Sequence, residues 1–152
     1  MPNIQSNQAY YIRNVKGGTV IDQSGHDGSI IGYPQNGGAN QQWIPIRVDD
    51  GWHIKNAQSG KYLALDSERP KNDDRLLAKD EPFVWHIWDE EAVSGSVRVC
   101  VPNCKKDVDL SDHGNPAPGT PISVWGRWEG QNQMWYFDQG KNKPLVLGVA
   151  RY

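Results

Sequence analysis

Tyr11-Ile12-Arg13-Asn14 returns as His53-Ile54-Lys55-Asn56, with Ile12 and Ile54 set 42 positions apart, and the same offset carries Gly18 to Gly60, Ile21 to Leu63 and Trp43 to Trp85. A fixed period of this length is the signature of stacked structural units, so the repeat governs the reading of everything else. A third copy opens with the alternating run Val97-Arg98-Val99-Cys100-Val101. Val108-Asp109 then falls on Ile21-Asp22 at an offset of 87, and Gln133-Met134-Trp135 on Gln41-Gln42-Trp43 at 92. The five extra residues lie within Ser111 to Gly119, a run of turn-forming residues, and insertions are absorbed in loops of this kind.

Within the first unit, Tyr10–Asn14, Thr19–Asp22, Ser29–Tyr33 and Gln42–Ile46 are short β-prone runs bounded by Gly, Asn, Asp or Pro. No stretch holds a helical spacing of apolar residues for three turns. A four-stranded unit of this size is too small to bury a face alone. Three of them around a pseudo-threefold axis share one core and leave no open strand edge. The expectation is therefore an all-β β-trefoil filling residues 1–152 as a single domain. Its repeats are placed at about 9–50, 51–93 and 94–140, with a closing strand at about 144–150.

The composition narrows the function. The 152 residues carry 16 basic and 18 acidic side chains, a net charge of −2 with no basic stripe, which argues against nucleic acid. Mean hydropathy is −0.72 and no apolar run nears the roughly 20 residues of a spanning helix, so no membrane insertion is expected. Met1 to Gln8 show neither a basic nor an apolar segment, which leads to the expectation of a cytoplasmic protein, or one released by a route other than the secretory one. Cys100 and Cys104 are read as reduced thiols. No histidine has metal-ligand spacing, no Gly-x-Ser-x-Gly elbow or glycine-rich phosphate loop occurs, and Asp89-Glu90-Glu91 is a solvated run rather than a catalytic pair. Neither an enzyme, nor a cofactor, nor a metal is expected.

The triplets Gln41-Gln42-Trp43 and Gln133-Met134-Trp135 resemble the Gln-x-Trp motif of the ricin B-like β-trefoil lectins. Ser29 to Tyr33 and Ile122 to Trp128 are similar to stretches of the small mushroom lectins of that group, and the likeness covers nearly the whole chain. The tryptophans are expected in the barrel core, with the glutamine amide tying the strand to its neighbouring loop. The resemblance implies a shallow pocket made of an Asp, an aromatic platform and an Asn. A carboxylate accepts sugar hydroxyls, a ring covers the C–H face, and an amide both donates and accepts.

Matched position by position, the first site is Asp22, Tyr33 and Asn40, with His26, Gly32 and Asn36 in adjoining loops as further contacts and Gly32 expected to let a ligand approach the backbone closely. The second is Asp109, Trp125 and Asn132, beside Arg127 and Trp128, with the insertion next to it. In unit two Ala64 stands for the Asp, Arg75 for the aromatic and Pro82-Phe83 for Asn-Gln, so this unit is expected to bind no sugar. The ligand implied is a terminal galactose or N-acetylgalactosamine of glycoproteins or glycolipids. A defensive role and a homodimer that gathers several weak sites are part of the same expectation. The alternative is a β-trefoil inhibitor of serine or cysteine proteases, presenting Arg127 or Arg69-Pro70-Lys71 on an exposed loop. A third reading docks a protein through Trp52, Trp88 or Trp128.

Overall fold

A computed structural model describes residues 3–140. The closing strand expected at 144–150 lies outside the described residues. The strands fall into three sets of four: β1 (Tyr10–Asn14), β2 (Val20–Gln23), β3 (Ile30–Tyr33) and β4 (Trp43–Val48); β5 (Gly51–Asn56), β6 (Tyr62–Ala64), β7 (Leu77–Lys79) and β8 (His86–Glu90); β9 (Ser96–Cys100), β10 (Lys106–Leu110), β11 (Thr120–Gly126) and β12 (Trp135–Gln139). Antiparallel ladders join β12–β1, β1–β4, β4–β5, β8–β9 and β9–β12, and a bridge between Trp52 and Trp85 brings β5 to β8. These six strands close a barrel. The hairpins β2–β3, β6–β7 and β10–β11 cap one end. This is the β-trefoil.

The core repeats with the sequence. Ile12, Ile54 and Val99 form one threefold set, Ile21, Leu63 and Val108 another, and Trp43, Trp85 and Trp135 a third, all at most 1% exposed. Each indole N–H has one buried partner in its own unit: the carbonyl of Ile21, Leu63 or Val108, at 2.9, 2.8 and 3.0 Å. Tryptophan suits these positions because it buries a large apolar area and needs only one acceptor. The expected core role of the three tryptophans is what the structure shows.

A second repeating device spans the units. Asn14 Nδ2 donates to the carbonyl of Asn132 at 2.9 Å, and Asn56 Nδ2 donates to that of Asn40 at 3.0 Å. Their Oδ1 atoms accept from Lys16 and Gly17, and from Gln58 and Ser59. Each asparagine thus pins a short 3-10 turn of the preceding unit, Ala39–Gln41 or Gln131–Gln133. Unit two has no such turn, and the corresponding residue of unit three is the apolar Val101, whose N–H meets the Lys106 carbonyl as that of Asn14 meets Thr19.

Unit two corrects one alignment. The fixed offset of 42 set Arg75 opposite Tyr33. In the structure Val20 pairs with Tyr33 and Asp22 with Ile31, whereas Tyr62 pairs with Lys79 and Ala64 with Leu77. Lys79, not Arg75, therefore holds the platform position, where its Nζ pairs with Asp66 at 2.9 Å. Four residues are gained before β7 and four are lost after it. The buried Leu63 and Trp85 stay in register because the core fixes them, while the loops between take up equal and opposite changes at little cost.

Candidate functional site

Two sites share one construction. In unit one the Asp22 carboxylate, 4% exposed, accepts Gln41 Nε2–H on Oδ2 at 2.9 Å and Asn40 Nδ2–H on Oδ1 at 3.2 Å. Gln41 also donates to the Pro34 carbonyl at 2.9 Å and accepts the Asn36 N–H at 2.9 Å, while Asn40 also donates to the Gln23 carbonyl at 3.2 Å. In unit three Asp109, 6% exposed, accepts Gln133 Nε2–H at 3.0 Å and Asn132 Nδ2–H at 3.1 Å. Gln133 also donates to the Gly126 carbonyl at 3.0 Å and accepts the Trp128 N–H at 3.1 Å, and Asn132 donates to the Leu110 carbonyl at 3.2 Å. The 3-10 turn makes this possible, since its consecutive Asn and Gln side chains reach the two oxygens of one carboxylate.

The glutamine was read as a tie between strand and loop. The structure gives it that role and a second one, holding the carboxylate. Two neutral donors fix each Asp without neutralising it. Burial lifts both carboxyls above their ordinary value, and the amide hydrogen bonds only partly offset this. A carboxylate oxygen has more than one lone pair, so each Asp can still accept hydroxyl donors.

Strand register sets the platforms. Because Asp22 pairs with Ile31 and Val20 with Tyr33, Asp22 and Tyr33 lie diagonally on one face of the hairpin. Asp109 pairs with Ser123 and Asp107 with Trp125, so Asp109 and Trp125 are related in the same way. Both rings are exposed, Tyr33 at 39% and Trp125 at 44%. Unit three adds Trp128, 45% exposed, whose ring packs where a side chain on Gly130 would otherwise sit. Between Trp125 and Trp128 lies a cleft of about 350 Å³, walled also by Asp73, Ser111, Asp112, His113, Ser123 and Asn132.

The structure thus brings Asp22, Tyr33 and Asn40 together, and likewise Asp109, Trp125 and Asn132. Asn36 supports the first set through its N–H to Gln41, and its Oδ1 accepts the Gly38 N–H at 2.9 Å. His26 sits on an exposed loop, its N–H on Ser24 Oγ at 3.2 Å, and no described hydrogen bond or ring contact joins it to Asp22, Tyr33 or Asn40. Gly32 was expected to admit the ligand to the backbone. Its missing side chain instead leaves room for Leu110 Cδ1, 2.8 Å from where a Cβ would be, and its carbonyl accepts the Gly119 N–H at 2.9 Å. It serves the packing of unit three on unit one.

Asp73 went unread as a site residue, because its place depends on the shifted register of unit two and nothing in the local sequence marks it. Arg127 is no projecting loop residue. Its Nε and Nη2 donate to the buried Asp107 at 3.0 and 3.1 Å, and Nη2 meets Cys100 Sγ at 3.4 Å. Trp52 is buried, unlike Trp88 and Trp128. Cys100 and Cys104 are free thiols, and burial pushes the Cys100 thiol far up, away from nucleophilic use.

Residues 3–78 and 47–125 match the family model described as ricin-type β-trefoil lectin domain-like. The chain belongs to that family. This ricin-type lectin domain is 45% identical to the Macrolepiota procera ricin B-like lectin solved in complex with lactose, over 90% of this chain and 99% of that one, with a TM-score of 0.87. It is 25% identical to the Rhizoctonia solani agglutinin, over 91% and 99% of the two chains, with a TM-score of 0.79. The designed threefold-symmetric protein ThreeFoil, 21% identical over 86% and 98%, shares the fold with a TM-score of 0.77. Sequence comparison with curated proteins gives no match. The resemblance drawn from the Gln-x-Trp triplets is borne out.

The raised carboxyls of this lectin domain predict a pH signature for any ligand held by Asp22 or Asp109. Only the ionised form accepts two donors and leaves lone pairs for a ligand hydroxyl. Ligand affinity at both sites should fall on acidification, beginning above the ordinary Asp value of 3.8. Stability moves the other way. The folded chain holds protons at these two groups at pH values where the unfolded chain has released them, so their contribution to stability falls as pH rises through that window. Sugar titrations from pH 7 down to 4, with circular dichroism reporting the fold, check this. Affinity that stays level to pH 4 would show that neither carboxylate touches the ligand.

Proposed function

We propose that this protein is a carbohydrate-binding lectin that holds terminal galactose- or N-acetylgalactosamine-type glycans reversibly, at one site in unit one and one in unit three. The observation that carries this is the buried carboxylate held by two amides beside an exposed ring, built twice and dismantled in unit two. A purely structural device would be needed in all three units, since the barrel core repeats in all three. The relative solved with lactose supports the choice of sugar.

A sugar edge would donate hydroxyl hydrogens to Asp22 or Asp109, and its C–H face would lie on Tyr33 or Trp125. Asn40 and Asn132 already spend their N–H donors on the carboxylate and a carbonyl, which leaves Oδ1 to accept. The reading is of capture without turnover, with glycans of glycoproteins or glycolipids as partners. Open sites of this size give dissociation constants on the order of 0.1–1 mM, so useful avidity comes from two sites per chain or from a homodimer. A defensive role, by attachment to the surface glycans of an animal that ingests the protein, fits such avidity.

The test is calorimetric titration with lactose and with N-acetylgalactosamine, beside a glycan array. The expected result is binding near two equivalents per chain. Silence towards every galactoside at tens of millimolar would overturn the reading.

A further inference from the structure

Unit two has no site of its own, yet it builds part of the site in unit three. Its connection between the paired residues Ala64 and Leu77, longer by four residues than that between Asp22 and Ile31 in unit one, reaches across to β11. Besides the Leu76 N–H on the Ile122 carbonyl at 3.0 Å, three anchors hold it there. The Asp73 N–H donates to the Val124 carbonyl at 2.8 Å, the Val124 N–H donates to the Asp74 carbonyl at 2.9 Å, and the Gly126 N–H donates to Asn72 Oδ1 at 2.8 Å. Asp73 sits between the first two in a left-handed conformation, φ 72°, with its exposed side chain in the wall of the cleft.

The charge of that wall is lopsided. Asp73, Asp109 and Asp112 line it, and among the described residues His113 is the one basic side chain in its walls. Burial is the main cause that raises the Asp109 carboxyl, and the Asp73 charge adds to it against the opposing pull of His113. The cations nearby are not in the wall. Lys106 Nζ is held by Asn72 Oδ1 at 2.5 Å, Arg75 joins Ser123 only through a backbone bridge, and Lys16 lies beyond Trp128 in an adjoining groove.

Unit one receives a different neighbour. Unit three sends it Ala117, Pro118, Gly119 and Thr120, with the Gly119 N–H on the Gly32 carbonyl and Thr120 and Pro121 paired with Gly32 and Ile31. None of these residues is charged. The two sites, alike in their carboxylate and amides, are given different electrostatic company: an acidic neighbour in unit three and an uncharged one in unit one.

We propose that Asp73, delivered by the unit without a site, sets charge selectivity at the unit-three site, which admits neutral and amino-bearing saccharides and disfavours those carrying a carboxylate or sulfate. This rests on the lectin reading above. At a few ångströms in a solvent-exposed cleft, a single unit charge changes affinity by about five-fold. The effect fades as salt rises, because the Debye length drops from about 10 Å at 0.1 M to about 3 Å at 1 M.

Tryptophan fluorescence isolates the unit-three site, since Trp125 and Trp128 flank it while the platform of unit one is Tyr33. The probes are galactose, galactosamine and galacturonate at pH 7 and low salt. The expected order of affinity is galactosamine, then galactose, then galacturonate, with about five-fold at each step. Asp73→Asn keeps the left-handed turn, which Asn tolerates. It should leave galactose within two-fold of the native protein and compress the spread between charged sugars by about five-fold on each side. Asp73→Gly, as a second variant with the same backbone freedom, should do the same. Asp73→Lys should reverse the order. A spread unchanged in Asp73→Asn, or one insensitive to 1 M salt, overturns the proposal while leaving the lectin reading intact. Failure of native protein to bind galactose at all overturns both.

Discussion

Asp107→Ala should destabilise the protein by about 3–5 kcal/mol, the cost typical of removing one member of a buried ion pair. Asp107 is fully buried and takes Arg98 Nη1 at 3.0 Å and the Arg127 guanidinium at 3.0–3.2 Å. Arg98, 8% exposed, is shared with Glu90 and with Gln133 Oε1 at 3.1 Å. Without Asp107, Arg127 can turn to solvent, but Arg98 keeps only Glu90 against its charge. Unit one fills the same space without charge, with Tyr11 at the position of Arg98 and Val20 at that of Asp107. The double variant Arg98→Tyr/Asp107→Val should therefore lie closer to the native protein than Asp107→Ala, because it strands no buried guanidinium, although Glu90 and Gln133 still lose their Arg98 partner. Urea unfolding of the three proteins decides it. A cost under about 1 kcal/mol for Asp107→Ala would mean that water already reaches the pair.

That pair also marks where the sequence stops being informative. Arg98 sits in an alternating strand and reads as one more outward residue, yet it is buried because Asp107, nine positions on, meets it from the adjacent strand. The barrel was legible because its core obeys a local rule three times over: an apolar residue, a second one nine positions later, and a tryptophan 22 positions beyond that, or 27 across the insertion of unit three. The site was legible for a similar reason. Asp22, Tyr33 and Asn40 recur as Asp109, Trp125 and Asn132, and matched recurrence across a loop insertion is hard to produce without matched geometry. Arg75 was misplaced because two opposite length changes cancel in the offset between Leu63 and Trp85, so the period looks intact while the hairpin between has slid by four residues. Asp73 was missed for the same cause, with the added difficulty that it serves a neighbour's cleft. Gly32 was assigned to the ligand because glycine so often admits one, whereas here Leu110 of another unit needs the space. Position within a unit could be read from the chain, and what one unit lends another could not.

Asp109→Ala should abolish measurable sugar binding at the unit-three site. Hydrogen bonds to a charged acceptor contribute about 1.5–3 kcal/mol each, so losing even one lowers affinity roughly 10- to 150-fold. From a starting constant on the order of 0.1–1 mM, that lies beyond a practical titration. The substitution also frees Asn132 and Gln133, whose donors no longer have a carboxylate to hold them in place. Asp109→Asn is the sharper control, since it keeps the shape but sets an amide nitrogen against the Asn132 or Gln133 donors, and it should fail as well. Two readouts separate the sites. The tryptophan fluorescence response should vanish in Asp109→Ala, while calorimetry still finds one equivalent bound in unit one. In Asp22→Ala the fluorescence response should persist and the stoichiometry should again halve. The double variant should bind nothing, because unit two offers Ala64 and Lys79 where the others offer a carboxylate and a ring. If Asp109→Ala kept its fluorescence response and its affinity, the sugar would be held by the aromatic walls alone. The threefold logic of carboxylate, amide and platform would then describe only how the hairpins are fastened to the barrel.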